Sequence, residues 1–158
     1  MKESFKKGIS FGMTSGIITT LGLIVGLNSG TGLKRVVIGG ILTIAIADAS
    51  SDALGIHISE ESSKRNGSRS VWEATFATLL TKLIVAMTFV SPFIFMNLRN
   101  SIITSIIWGF ILLVIFNYIL AKQKGEKPLW IIFEHLIIAS AVILISHFIG
   151  KLISLHFI

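Results

Sequence analysis

The chain has 158 residues, 53% of them hydrophobic and only 14% charged, with a net charge of +6 and a mean hydropathy of +0.84. That charged fraction, against about 25% in soluble domains, argues against a soluble globular body, because one of this size has too much surface to hide so much apolar material. The lack of cysteine excludes disulfides, thiolate metal sites and iron–sulfur ligation, and basic residues confined to short gaps between apolar runs speak for topology and anionic lipid rather than nucleic acid.

A membrane-crossing helix needs about 20 mostly apolar residues. The first predicted span covers residues 8–27, inside an uncharged run that ends at Leu33. Lys2, Lys6 and Lys7 precede it, but the run is too long for a cleaved signal and no small-residue cleavage pattern closes it, so it reads as a retained helix. Gly8, Gly12 and Gly16 recur every four residues, and Gly22 and Gly26 repeat the interval. Small residues so spaced let helices approach closely, either within one chain or across a dimer seam. Thr14, Ser15, Thr19 and Thr20 can bond back to carbonyls one turn earlier. Ser15 and Thr19, four apart, are also candidates to line a polar path.

The second span, residues 36–58, is broken by Asp48 and Asp52. Residues four apart share a helix face, with Cβ atoms about 6 Å apart. Asp48 falls near mid-span and Asp52 one turn nearer the predicted cytoplasmic end. Ser59 lies near the same stripe, and Glu60 and Glu61 stand at its mouth as candidates to gather cations. A charged aspartate at a helix centre costs about 2.5–3.5 kcal/mol on insertion scales. Two neighbours in low dielectric cannot both stay ionised without a cation, so one is expected to hold a proton until a cation displaces it. Carboxylate oxygens suit Mg²⁺, Ca²⁺, Mn²⁺ and Fe²⁺, and coordination would release the proton. His57 lies well round the helix from the aspartates and reads as an interfacial residue.

A polar connector, residues 59–71, leads to a third span at residues 72–96, interrupted by Lys82. Lys82 has two readings: a structural partner that makes a buried ion pair, or a tethered cation that neutralises the empty site and leaves when metal enters. The fourth span, residues 100–121, carries no charge. Asn97, Asn100 and Asn117 can bond between helices. The fifth, residues 129–153, has Glu134 and His135 near its start and Lys151 near its end. Adjacent residues do not share a helix face, so Glu134 and His135 are not expected to form a metal site. His147 and His156 read as structural, and Trp72 and Trp130 as interfacial belt residues.

Counting Lys and Arg around the spans puts nine on the side of the N-terminus (Lys2, Lys6, Lys7, Lys64, Arg65, Arg69, Lys122, Lys124, Lys127) and four opposite (Lys34, Arg35, Arg99, Lys151). That asymmetry predicts a cytoplasmic N-terminus and an outside C-terminus. The fold expected is all-α: a polytopic membrane protein with five transmembrane helices in one domain, residues 1–158, in the cell membrane. No enzyme is expected. G-x-S-x-G, H-E-x-x-H and glycine-rich phosphate loops are absent from the sequence. An aspartyl-protease dyad needs facing carboxylates from two segments, whereas both acids here lie on one helix.

The stretches F-G-M-T-S-G-I-I-T-T-L-G-L-I-V-G-L (Phe11 to Leu27) and G-G-I-L-T-I-A-I-A-D-A-S-S-D-A-L-G-I-H-I-S-E-E-S (Gly39 to Ser62) resemble the first two helices of the vacuolar iron transporter family. The resemblance covers roughly residues 8–62; a third helix with Ser91-Pro92-Phe93 also agrees. It implies five transmembrane helices, a homodimer, and a metal path at the dimer interface between the first two helices of each subunit. It further implies export of Fe²⁺, and often Mn²⁺, from the cytosol in exchange for protons. The family often has S-D-G where this chain has Thr14-Ser15-Gly16, so Ser15 takes the aspartate position. Asp48 falls at a small-residue position of the family's second helix, Asp52 near a methionine position and His57 near a tyrosine. The family's glutamate-rich cytosolic insert is missing, leaving Glu60, Glu61 and Glu73 in its place.

The expected function is thus divalent metal transport, with Fe²⁺ or Mn²⁺ as cargo, lipid and a second copy as partners, and no resident cofactor. Asp48 and Asp52 would bind the ion, with Ser15, Thr19, Glu60 and Glu61 along its path and Lys82 compensating charge. The alternative is a structural or accessory membrane protein whose Asp–Lys cluster only fixes helix packing.

Overall fold

The computed structural model describes residues 3–63 and 67–157, so Lys2, Lys64 and Arg65 of the charge count lie outside the described residues. The chain is helical throughout, with no strand among the described residues: α1 (Glu3–Thr31), α2 (Lys34–Glu61), α3 (Ser68–Thr88), α4 (Val90–Phe95), α5 (Leu98–Lys124) and α6 (Pro128–His156). With α3 and α4 taken as one segment, Ser68–Phe95, five helices are long and apolar enough to cross a membrane. The count agrees with the sequence, but each helix starts before the apolar run that announced it, and four of the five also end beyond it. At 1.5 Å rise per residue, 27–29 residues reach roughly 40 Å, enough for headgroups as well as hydrocarbon.

Local chemistry sets the ends. Gly32, at φ +61°, turns the chain between α1 and α2 in the left-handed region that disfavours a side chain. Asn97 caps α5, its side chain accepting from Asn100 N at 3.0 Å, and Pro128 opens α6, where its missing N–H costs nothing. The break between α3 and α4 comes from Pro92. It has no N–H for the Thr88 carbonyl one turn back, and its ring crowds that turn. Ser91 Oγ donates to the freed Thr88 oxygen at 3.0 Å, so that carbonyl is not orphaned in an apolar setting.

Packing makes α1 the hub, in contact with α2, α3, α5 and α6. Its glycine stripe is consumed inside the chain. A methyl at Gly12 would stand 2.9 Å from the Thr78 carbonyl oxygen, and one at Gly16 would stand 3.2 Å from Lys82 Cγ. The later glycines face α6, with Gly26 and Gly30 against Ser146 and Gly150. Of the two uses the sequence left open, the first helix's stripe thus serves intramolecular packing. Thr78 Oγ1, 3.3 Å from the Gly8 carbonyl and 2.9 Å from the Ala74 carbonyl, adds a polar contact between α1 and α3. On α2 the buried ridge is Val37, Ile41, Ala45, Ala49 and Ala53. Its small members let α2 lie close against α3. A core of Ile17, Leu21, Ile24, Val37, Ile41, Phe89, Phe93 and Leu113 fills the centre.

One expectation is corrected. Among the described residues, Asn97, Asn100 and Asn117 make no side-chain hydrogen bond to another spanning helix. Asn97 and Asn100 bond each other at the α5 cap, and the fully buried Asn117 donates Nδ2 to Leu113 O at 2.8 Å within α5. A carboxamide can reach its own helix backbone one turn away, and that bond needs no neighbour. An interhelical polar contact comes instead from His147 on α6, whose Nδ1 lies 2.7 Å from Ser29 Oγ of α1.

Candidate functional site

Three helices meet around one buried ammonium. Lys82 projects from α3 near the middle of the Ser68–Phe95 segment, and its side chain is only 3% exposed. An isolated lysine so placed would be expensive in lipid, and the helices around it supply oxygens instead. Lys82 Nζ lies 2.5 Å from Asp48 Oδ2, pairs closely with Asp52 Oδ2, and donates to Ser15 Oγ at 2.9 Å. Ser15 Oγ in turn donates to Asp52 Oδ2 at 2.7 Å. The Asp48 contact is charge pairing rather than an aligned hydrogen bond, since Asp48 Oδ2 makes no hydrogen bond of good geometry.

The backbone explains why these groups meet. Asp48 and Asp52 stand one turn apart on the flank of the α2 alanine ridge that packs on α3. Gly12 and Gly16 let α1 press against α3 beside Lys82, which brings Ser15 within a hydroxyl's reach. The cluster holds two carboxylates and one ammonium, so it carries one excess negative charge when all three are ionised. The Asp48 and Asp52 side chains remain 30% and 22% exposed. On the outward side of α2, Gly39, Thr43, Ala47, Ser51, Gly55 and Ser59 follow at four-residue intervals, all exposed. Asp48 and Asp52 border that stripe, each one residue after a member of it.

The other sequence candidates are not in this cluster. Thr19 Oγ1 donates to the Ser15 carbonyl at 2.7 Å, the back-bond within its own helix. Glu60 is 7% exposed and ion-paired with Lys7 at 3.3 Å, tying the end of α2 to the start of α1. Glu61 is exposed and lines a separate polar recess with His57, Ser68, Val71 and Trp72. Among the described residues, no group of three or more His, Asp or Glu side chains is gathered where it could hold a metal ion. Two carboxylates and one hydroxyl are what this chain brings to the Lys82 site.

Sequence reading overlooked the His57 surroundings. His57 Nδ1 is 3.0 Å from Thr75 Oγ1, its ring meets the Trp72 ring edge-on at 4.7 Å, and Trp72 stacks on Phe76 at 5.4 Å. The four-residue interval between His57 and Glu61 was the signal in the sequence. No protein-family model matches the chain, and no curated protein matches it either.

Proposed function

We propose that this chain is a membrane carrier of a divalent cation, Fe²⁺ or Mn²⁺, exchanged for protons at Asp48 and Asp52, in the manner of the vacuolar iron transporters that its first two helices resemble. The observation that carries this reading is the charge balance of the cluster. Two part-open carboxylates face one ammonium inside an apolar bundle, so one negative charge is left for a mobile cation. Lys82 is the built-in cation of the empty state. Entry of a metal ion would require its ammonium to swing off the carboxylates, and Ser15 would then be free to add a third oxygen.

A homodimer belongs to the same reading. The outward stripe of α2 is small at every fourth position, and a side chain at Gly39 or Gly55 would meet nothing within 4 Å. Two such faces pack closely in lipid, and pairing them would close the open flank of each aspartate site and bring further carboxylates toward the ion. The Lys and Arg asymmetry supports a cytoplasmic N-terminus, and the five apolar helices support residence in the cell membrane.

The test is flux. The protein is reconstituted in liposomes and Mn²⁺ entry is followed against a pH gradient, beside Asp48→Asn and Asp52→Asn. The parent is expected to move Mn²⁺ and protons in opposite directions, and each variant to lose about tenfold or more of the rate with its helicity intact.

A second reading is favoured by the close pairing of Lys82 with both carboxylates. In it the cluster is a lock that sets how α1, α2 and α3 pack. A parent that carries no ion, with variants that unfold more readily, would establish this reading and remove the first.

A further inference from the structure

We propose that His57 and Glu61 form a second cation site, for a divalent transition-metal ion, in the polar recess between the end of α2 and the start of α3. The recess has a volume of about 230 Å³ and is lined by His57, Glu61, Ser68, Val71 and Trp72. The site goes beyond the carrier reading and does not depend on it.

The argument begins with a proton. Thr75 Oγ1 donates its only hydrogen to the Val71 carbonyl at 2.8 Å. Toward His57 Nδ1, 3.0 Å away, it can therefore only accept. Nδ1 must carry the hydrogen, which leaves the neutral ring's lone pair on Nε2. A histidine whose Nδ1–H is anchored to a fixed oxygen is a metal-ready imidazole, oriented and in the right tautomer. Thr75 is itself buried, and Trp72 closes one side of the ring, so the imidazole is held on two sides.

Glu61 stands one turn on from His57, on the same face of α2. One imidazole nitrogen and one carboxylate on a single helix turn make a two-point chelate for a borderline metal ion, with Ser68 Oγ and water within the recess as further oxygens. Of the side chains that line the recess, His57, Glu61 and Ser68 can each offer a lone pair, which suits a cation. His57 lies about 140° round the helix from Asp52, on the other flank of the buried ridge, so the two sites cannot share a ligand.

The probe is Mn²⁺ alone, titrated into the full-length protein in detergent micelles and read by electron spin-echo modulation, which detects a coordinated ¹⁴N. One Mn²⁺ with nitrogen coupling is expected, lost in His57→Gln and bound about tenfold more weakly in Glu61→Gln. Thr75→Val, which removes the anchor but no ligand, is expected to weaken binding while keeping the coupling. The Asp48→Asn/Asp52→Asn pair is expected to keep it as well, so loss of transport and loss of this site are read separately. A parent without nitrogen-coupled Mn²⁺ overturns the proposal. So does coupling that survives His57→Gln, since it would come from His135, His147 or His156. Circular dichroism confirms that each variant is folded, and the parent's own signal decides the matter if one is not.

Discussion

Lys82 is held by three oxygens from two other helices, and its removal has a definite energetic sign. Lys82→Met leaves two carboxylates one turn apart with no cation between them. Breaking a buried pair from one side costs about 3–5 kcal/mol, because the remaining charge stays desolvated. Asp52→Asn is milder, since Lys82 keeps Asp48 and Ser15. Combining Lys82→Met with Asp52→Asn should restore part of the loss, with a coupling energy above about 1 kcal/mol in a double-mutant cycle of unfolding in mixed micelles. A Lys82→Met variant as stable as the parent would show that the ion cluster carries no weight in the fold. Residue chemistry was partly legible in advance. The aspartates, Ser15 and Lys82 stood out because ionisable groups in apolar runs are costly. Thr19 and Glu60 were placed on a path by position alone, and position does not reveal that Thr19 spends its hydroxyl on its own helix or that Lys7 reaches Glu60.

Helix α1 is ordered by what its glycines touch. A side chain at Gly12 runs into α3 backbone, which cannot yield as a flexible side chain can. Gly12→Leu must push α1 off α3 and draw Ser15 away from Asp52 and Lys82. The expected cost is about 1–3 kcal/mol or more, seen as a lower thermal midpoint in micelles. Gly55→Leu, on the open side of α2, should change monomer stability by less than about 0.5 kcal/mol. The contrast is useful because both glycines sit in four-residue small patterns that look alike on paper. Glycine spacing tells that a helix is approached closely. It does not tell by which helix, since the partner is chosen by the whole bundle. The Pro92 break follows a similar rule: proline in the run announced an interruption, but the Ser91 bond that makes it tolerable needed the bent backbone.

At the scale of the molecule, the five spans form a bundle with α1 inside and α5 and α6 largely exposed, as helices that face lipid are. The outward stripe of α2 gives the whole-molecule prediction. In the dimer proposed above, Gly39→Leu with Gly55→Leu should convert dimers to monomers in liposomes, counted by single-molecule photobleaching, while leaving helicity unchanged. Monomers in the parent preparation would remove the dimer from the functional reading. The sequence by itself determined the all-helical class and the number of spans, because backbone groups in hydrocarbon must be satisfied within each segment, and run length and apolarity record that locally. It also marked the aspartate pair, through the cost of charge away from water. Only the tertiary structure decided that Lys82 and Ser15 join that pair, that Glu60 turns to Lys7, and that His57 is anchored by Thr75. Those contacts join residues 18–67 positions apart. Helix rotation and packing bring such residues together, and no local pattern encodes either.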